Sequence, residues 1–396
     1  MRTGCLPDVR PAGNPGTMST RKIDAWHAEG LIDAETRARL IAYEQAHSRP
    51  LALWAVYGIG ALAIGLGLIS VVAANWDDIP GQLRLAAHFV LIGGALATLA
   101  WTGKTLDAMT PWTGEVLLFV AAILGLTFFG HIGQVYQTGS PLWQPIGVWL
   151  LLFAPLVLLS GRSWLTALLI FGFFAYACWE FGLREPIVRN TRASDWVELA
   201  LITSIPVLVA PLAAWMRSRS ARSDFFRRLE QLPVIYAIGG ASFIAALASV
   251  TDFADERIGA APQFVRFFIA LACAAGVFLA RRGRSGQMTA AILAGAGAVF
   301  LFAPAVSGST ALAGLLFLAF WTGCAAAALV AGWRIEFQIA VAVIALRLII
   351  LSFELASDLL LSGFGLILSG VLVLGIGYAA VRVSKAFAPP AEGDMG

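Results

Sequence analysis

Three charged residues sit where charge is expensive. Arg347 falls near the middle of an apolar run of about nineteen residues, 335–353, and Glu354 and Asp358 follow it. A guanidinium at mid-bilayer costs roughly 2.5–3.5 kcal/mol on insertion scales, so it must face protein or water and find a partner. At 100° per residue, Glu354 and Asp358 fall within about 20° of the Arg347 direction, on one stripe. Arg347 and Glu354 are about 10 Å apart along the axis, a gap to be closed by a long side chain and a water. Such a stripe could pass a proton, an ion or an anionic solute. The alternative is an arginine that snorkels outward and only orients its helix.

A second group is His131, Gln134, Tyr136 and Gln137, read as a polar turn at the far end of the third apolar run. A histidine there could shuttle protons near neutral pH. Metal binding would need more ligands, and His88 is the one other histidine in the apolar region. The bland reading is an interfacial turn whose amides satisfy nearby helix ends. Asn75, Asp77 and Asp78 close the first run with no catalytic spacing. Pro155, Pro206 and Pro211 fall inside runs, where they mark either broken helices or ordinary membrane-helix prolines.

Enzyme signatures are absent: there is no Gly-rich phosphate loop, no GxSxG and no HExxH. The four cysteines form no CxxC pair and no Cys/His cluster, which argues against disulfides and structural zinc. The expectation is therefore a non-enzyme with no catalytic residue, no metal and no cofactor. Nucleic acid is not an expected partner either, because the arginines lack interleaved aromatics.

The elements that must hold these residues are membrane helices. The chain is 59% hydrophobic and 13% charged, against about 25% charged for a soluble domain. Twelve runs of bilayer length can be drawn: 52–73, 84–102, 114–130, 145–160, 164–182, 197–215, 232–250, 264–280, 287–304, 309–332, 335–353 and 359–382. Segments surrounded by lipid must satisfy their own backbone hydrogen bonds, so they are helical. With twelve spans, 20 of the 27 basic residues fall on the side that holds both termini, six fall opposite, and Arg347 lies within a span. That bias places both termini in the cytoplasm. A basic loop is expected over 216–231, and it invites a six-plus-six division that no internal repeat supports. The predominance of arginine over lysine points to a bacterial inner membrane.

Before the first run the expected layout is a disordered tail over 1–17 and a cytosolic helical hairpin over 18–50, with Met18 as an alternative start. Ile23 and Trp26 share a face of its first helix, Gly30 ends that helix, and Asp33 caps the second. The bundle then occupies 51–383, with a disordered tail over 384–396. The segment Ile23-Asp24-Ala25-Trp26-His27-Ala28-Glu29-Gly30-Leu31-Ile32, then Tyr43-Glu44 and Asn75-Trp76, resembles bacterial membrane proteins catalogued as domain of unknown function 2157. Gly130-His131-Ile132-Gly133-Gln134-Val135-Tyr136-Gln137 is similar to that family's polar turn, and 363–370 to its last helix. The resemblance implies a polytopic membrane protein and no particular reaction.

The reading is thus an all-α polytopic bundle in the lipid bilayer. Its function is either movement of a small solute, ion or lipid along Arg347, Glu354 and Asp358, or a non-transporting scaffold or sensor whose hairpin binds a protein partner. Oligomeric state is left open.

Overall fold

The computed structural model describes residues 18–47, 78–105, 111–184, 193–253, 260–355 and 363–387, with Ile59 and Ala63 as isolated positions. The chain divides into two compact units, Met1–Pro80 and Gly81–Gly396. The expected tail over 1–17 and nearly all of the first run, 52–73, lie outside the described residues.

In the first unit, α1 (Met18–Ala28) and α2 (Ala34–His47) pack as a hairpin. Helix α1 ends because Gly30 takes φ +71°. That turn lets Leu31 N–H reach Trp26 O at 2.9 Å and Gly30 N–H reach His27 O at 3.1 Å. These are the paired bonds that satisfy orphan carbonyls at a helix end. Asp33 caps α2 by accepting from Thr36 N–H at 2.9 Å, and Arg37 closes on Asp24 at 2.7 Å. Ile23 is buried, whereas Trp26 is exposed, so the two do not share one packing face.

Among its described residues the second unit is built of helices joined by short turns. It comprises α3 (Gly81–Thr105), α4 (Pro111–Tyr136), α5 (Trp143–Ser160), α6 (Trp164–Arg184), α7 (Ala193–Ser204), α8 (Val209–Arg219), α9 (Ser223–Leu247), α10 (Ala261–Ala280), α11 (Arg284–Val306), α12 (Thr310–Ala331), α13 (Arg334–Leu355) and α14 (Gly363–Phe387). Among the described residues ten helical segments of 18–25 residues are long and apolar enough to cross a membrane. They coincide with runs two to eleven. From residue 363 the twelfth run lies on α14, which continues past the expected end of the bundle at 383 to Phe387.

The sixth span is built from two helices. Pro206 has no N–H, so the chain tightens into a 3-10 turn, Ile205–Leu208, between α7 and α8. In a 3-10 register the Thr203 carbonyl needs the N–H of residue 206, which proline lacks. Tyr236 Oη–H of α9 supplies the missing donor at 2.6 Å. The Thr203 and Ser204 hydroxyls donate back to Leu199 O and Ala200 O, at 2.7 and 2.6 Å.

The expected loop over 216–231 is instead mostly helix. Helix α8 runs to Arg219 and α9 starts at Ser223, leaving a connection of three residues. The reason is visible in spacing: Phe225, Phe226, Leu229, Leu232 and Pro233 form an apolar face that is buried despite the intervening arginines. That face packs with Trp149, Val157, Ala167 and Phe171 of α5 and α6. Farther along α9, Ala237, Ala241 and Ala245 belong to a second, alanine-rich core with α8, α10, α11 and α12. One helix therefore serves both cores, and the six-plus-six division has no counterpart. Close approach elsewhere rests on glycine: a Cβ on Gly125 of α4 would stand 2.2 Å from the Phe153 ring of α5.

Candidate functional site

Arg347 on α13 is 5% exposed. Its guanidinium donates to Glu354 Oε1 at 3.2 Å and to Ser249 Oγ at 2.6 Å, and stands 5.6 Å from the Phe317 ring of α12. No water is needed to join Arg347 to Glu354; the arginine stem spans the two turns directly. Ser249 lies in the turn after α9, and its carbonyl accepts from Thr310 Oγ1 at 3.1 Å. The arginine thereby ties α9 and α13 together beside α12. Its Nε–H is buried without an acceptor among the described residues. Asp358 lies outside the described residues.

His131 is not in a turn. It sits on the last turns of α4 and meets His88 of α3, with the Nδ1 atoms 3.0 Å apart. His88 Nε2 lies 3.0 Å from Leu124 O, and a carbonyl can only accept, so Nε2 carries the hydrogen. A neutral His88 then offers Nδ1 as acceptor, and His131 Nδ1–H donates to it. Gln134, Tyr136 and Gln137 are exposed and do not join this pair; of the four, only Gln137 is in the turn, at φ +54°.

Four polar groups organise the bundle that the sequence did not single out as sites. Glu115, at the start of α4, accepts from Arg162 N–H at 2.9 Å, Ser163 N–H at 2.7 Å and Thr166 Oγ1–H at 2.6 Å, so a buried carboxylate caps the start of α6. Glu230, 2% exposed on α9, is held by Arg217 at 3.0 Å and Arg281 at 2.5 Å. Arg222, in the three-residue connection, donates to Gly161 O at 3.0 Å and to Leu158 O. Burial and the neighbouring Arg162 draw the Arg222 guanidinium below its ordinary pKa. Glu180 on α6 accepts from Leu142 N–H at 3.0 Å, at the start of α5, and pairs with Arg184 at 3.2 Å.

Arg266 and Gln263 of α10 form a further polar pair inside the spans. Gln263 is 1% exposed and its Oε1 accepts from Arg266 at 3.2 Å. The guanidinium stands 5.7 Å from the Phe300 ring of α11. A groove of about 330 Å³ between α11 and α12 is lined by apolar residues such as Ala298, Phe302, Phe320 and Gly323. Among the described residues there is no group of three or more His, Cys, Asp or Glu side chains placed to hold a metal ion.

No curated protein and no solved structure matches the chain. Residues 24–166 match the family model described as predicted membrane protein (DUF2157). That stretch holds the His88–His131 pair, and both Glu115 and its donors through Thr166; Arg347 lies beyond it. Ten bilayer-length apolar helices and this similarity over residues 24–166 make the chain an integral membrane protein with a DUF2157-like region.

Proposed function

We propose that this protein moves a small solute, ion or lipid across a bacterial inner membrane, without catalysing a reaction, and that Arg347 and Glu354 are the charged step of its path. The observation carrying the reading is the Arg347–Glu354 pair at 3.2 Å, in which Arg347 is buried, 5% exposed, and Glu354 is partly open. Replacing a buried ion pair by packed apolar residues is often neutral or stabilising. A pair inside a membrane helix is therefore an expensive way to obtain stability, and such residues mark pathways more often than scaffolding. Glu354 is the more open partner, at 27% side-chain exposure, so it meets the solute or proton before Arg347 does. Both termini lie in the cytoplasm, on the side that carries most arginines.

The test uses the full chain in proteoliposomes loaded with a pH-sensitive dye, together with a swelling assay over a panel of small solutes. Arg347→Leu and Glu354→Gln should abolish the flux while leaving the helical content intact. Undiminished flux in both variants would refute the pathway. Cysteines placed at 188 and at 221 should label from opposite sides of the membrane; labelling from one side would break the topology.

One observation favours the second reading. On the hairpin, Trp26, Leu31 and Tyr43 are all exposed. Large apolar side chains outside the spans suit a protein partner. Deleting residues 18–47 should silence a scaffold or sensor but leave vesicle flux in place.

A further inference from the structure

Several charged groups among the described residues of this bundle have counter-charges or donors, and the Arg222 guanidinium donates to two carbonyls. Glu230 has two arginines, Glu115 has three donors, Glu180 has Arg184, and Arg347 has Glu354. Arg266 departs from the pattern. It lies five residues into α10, half-buried, and no carboxylate among the described residues comes within ion-pair distance of it. What it has is the Oε1 of Gln263 at 3.2 Å and the face of Phe300 at 5.7 Å. Neither neutralises a guanidinium.

Gln263 compounds the imbalance. Its oxygen is used by Arg266, and its Nε2 is buried with no acceptor among the described residues. Turning the amide over does not help, because NH2 would then face the guanidinium N–H groups, donor against donor. The amide nitrogen shares a carbon with the oxygen that touches Arg266, so it is held beside the guanidinium. The result is a guanidinium with no counter-charge among the described residues beside an amide N–H group that is 99% withdrawn from solvent and lacks an acceptor there. Leaving such donors unpaired is costly in a low-dielectric interior.

We propose that Arg266 and Gln263 form a binding site for one oxyanion group, a carboxylate or a phosphate, whose oxygens accept from the guanidinium and from Gln263 Nε2. The planar fork of a guanidinium matches two oxygens on one atom better than it matches a halide. A carboxylate or phosphate on a soluble molecule and the phosphodiester of a lipid headgroup present this same chemistry. The site is independent of the Arg347–Glu354 pair, since it is built on α10 and α11 and shares no residue with it.

The decisive variant is Gln263→Glu. It places a carboxylate three residues from Arg266 on the same helix, in the position of the present amide, and so supplies the counter-charge from within the chain. The full chain would be purified in a neutral detergent and titrated with sodium acetate and with sodium phosphate at constant ionic strength, sodium chloride making the balance. Tryptophan fluorescence follows unfolding temperature, and native mass spectrometry reads retained phospholipid. A saturable rise in unfolding temperature with acetate or phosphate in the wild type, with apparent affinity about tenfold or more weaker in Gln263→Glu and Arg266→Leu, identifies a soluble oxyanion. One retained phospholipid in the wild type, lost in Gln263→Glu, with no response to either salt, identifies the headgroup. A wild type with neither response overturns the site, and so does a Gln263→Glu protein that responds like the wild type. Because Gln263→Glu keeps Arg266 paired, the test holds even if Arg266→Leu fails to fold.

Discussion

Glu230 offers the sharpest test of how this bundle is held together. Its carboxylate is 2% exposed and lies between Arg217 of α8 and Arg281, in the connection that leads into α11. Glu230→Gln keeps the shape and one acceptor but removes the charge, leaving two partly buried guanidinium groups facing each other. Breaking a buried pair in this way costs about 3–5 kcal/mol. The amide still accepts one hydrogen bond, so a loss of about 2–4 kcal/mol is expected. The two arginines are not equivalent. Arg281 is closer, at 2.5 Å against 3.0 Å, and less exposed, at 15% against 25%. Arg281→Met should therefore cost more than Arg217→Met. The triple variant Glu230→Leu/Arg217→Met/Arg281→Met should recover most of the loss, since an apolar set can replace a whole buried ionic group. Reversible unfolding of the full chain in mixed micelles, titrated with a denaturing detergent, reads all four. Glu230→Gln within about 0.5 kcal/mol of the wild type, the size of an ordinary surface substitution, would refute the reasoning.

Three further outcomes are expected. Nitrogen shifts of the imidazoles at neutral pH should show hydrogen on His88 Nε2 and on His131 Nδ1; the opposite tautomers would contradict the contact at Leu124 O. Gly125→Val should drive Phe153 out of its place, since even a Cβ would meet the ring at 2.2 Å, and a loss of about 1–3 kcal/mol is expected from overpacking; unchanged unfolding in the same micelle titration would show that the ring has room. At the hairpin, bonds from the Thr36 side chain and backbone hold the Asp33 carboxyl below its ordinary 3.8. A depressed folded value means the cap contributes above the ordinary value and is lost as pH falls through the folded one. Amide protection at residues 34–37, taken relative to the intrinsic exchange rate at each pH, should fall in that acid window in the wild type and show no such step in Asp33→Ala.

What the sequence made legible follows from what one helix can show about itself. Runs two to eleven were readable because lipid imposes length and apolarity on each span separately. Arg347 stood out for the same reason, a lone charge deep in an apolar run, and its stripe with Glu354 needs only helical geometry. Their direct bond was not legible, since side-chain reach depends on how Ser249 and Phe317 crowd the guanidinium. The His88–His131 contact joins residues 43 apart on different helices, and no periodicity announces it. Charge density misled over 216–231: the arginines suggested a loop, although Phe225, Phe226, Leu229 and Leu232 already carried a helical face that places Glu230 inside. Arg266, near the start of its run, counts in the sequence among the six basic residues opposite the termini; only its packing against Gln263 and Phe300 puts it among interior groups.

The Glu115 cap also sets an order of events at the ribosome. Its donors at Arg162, Ser163 and Thr166 follow it by 47, 48 and 51 residues. At about 5–20 residues per second, the carboxylate waits roughly 2–10 s for them after it is made. During that interval α4 and α5 have both been synthesised, yet the group that will lock them to α6 has no partner. The first helices of the second unit are thus held unfinished until residue 166 emerges, and a pause or truncation before that point leaves a bare carboxylate for quality control to find.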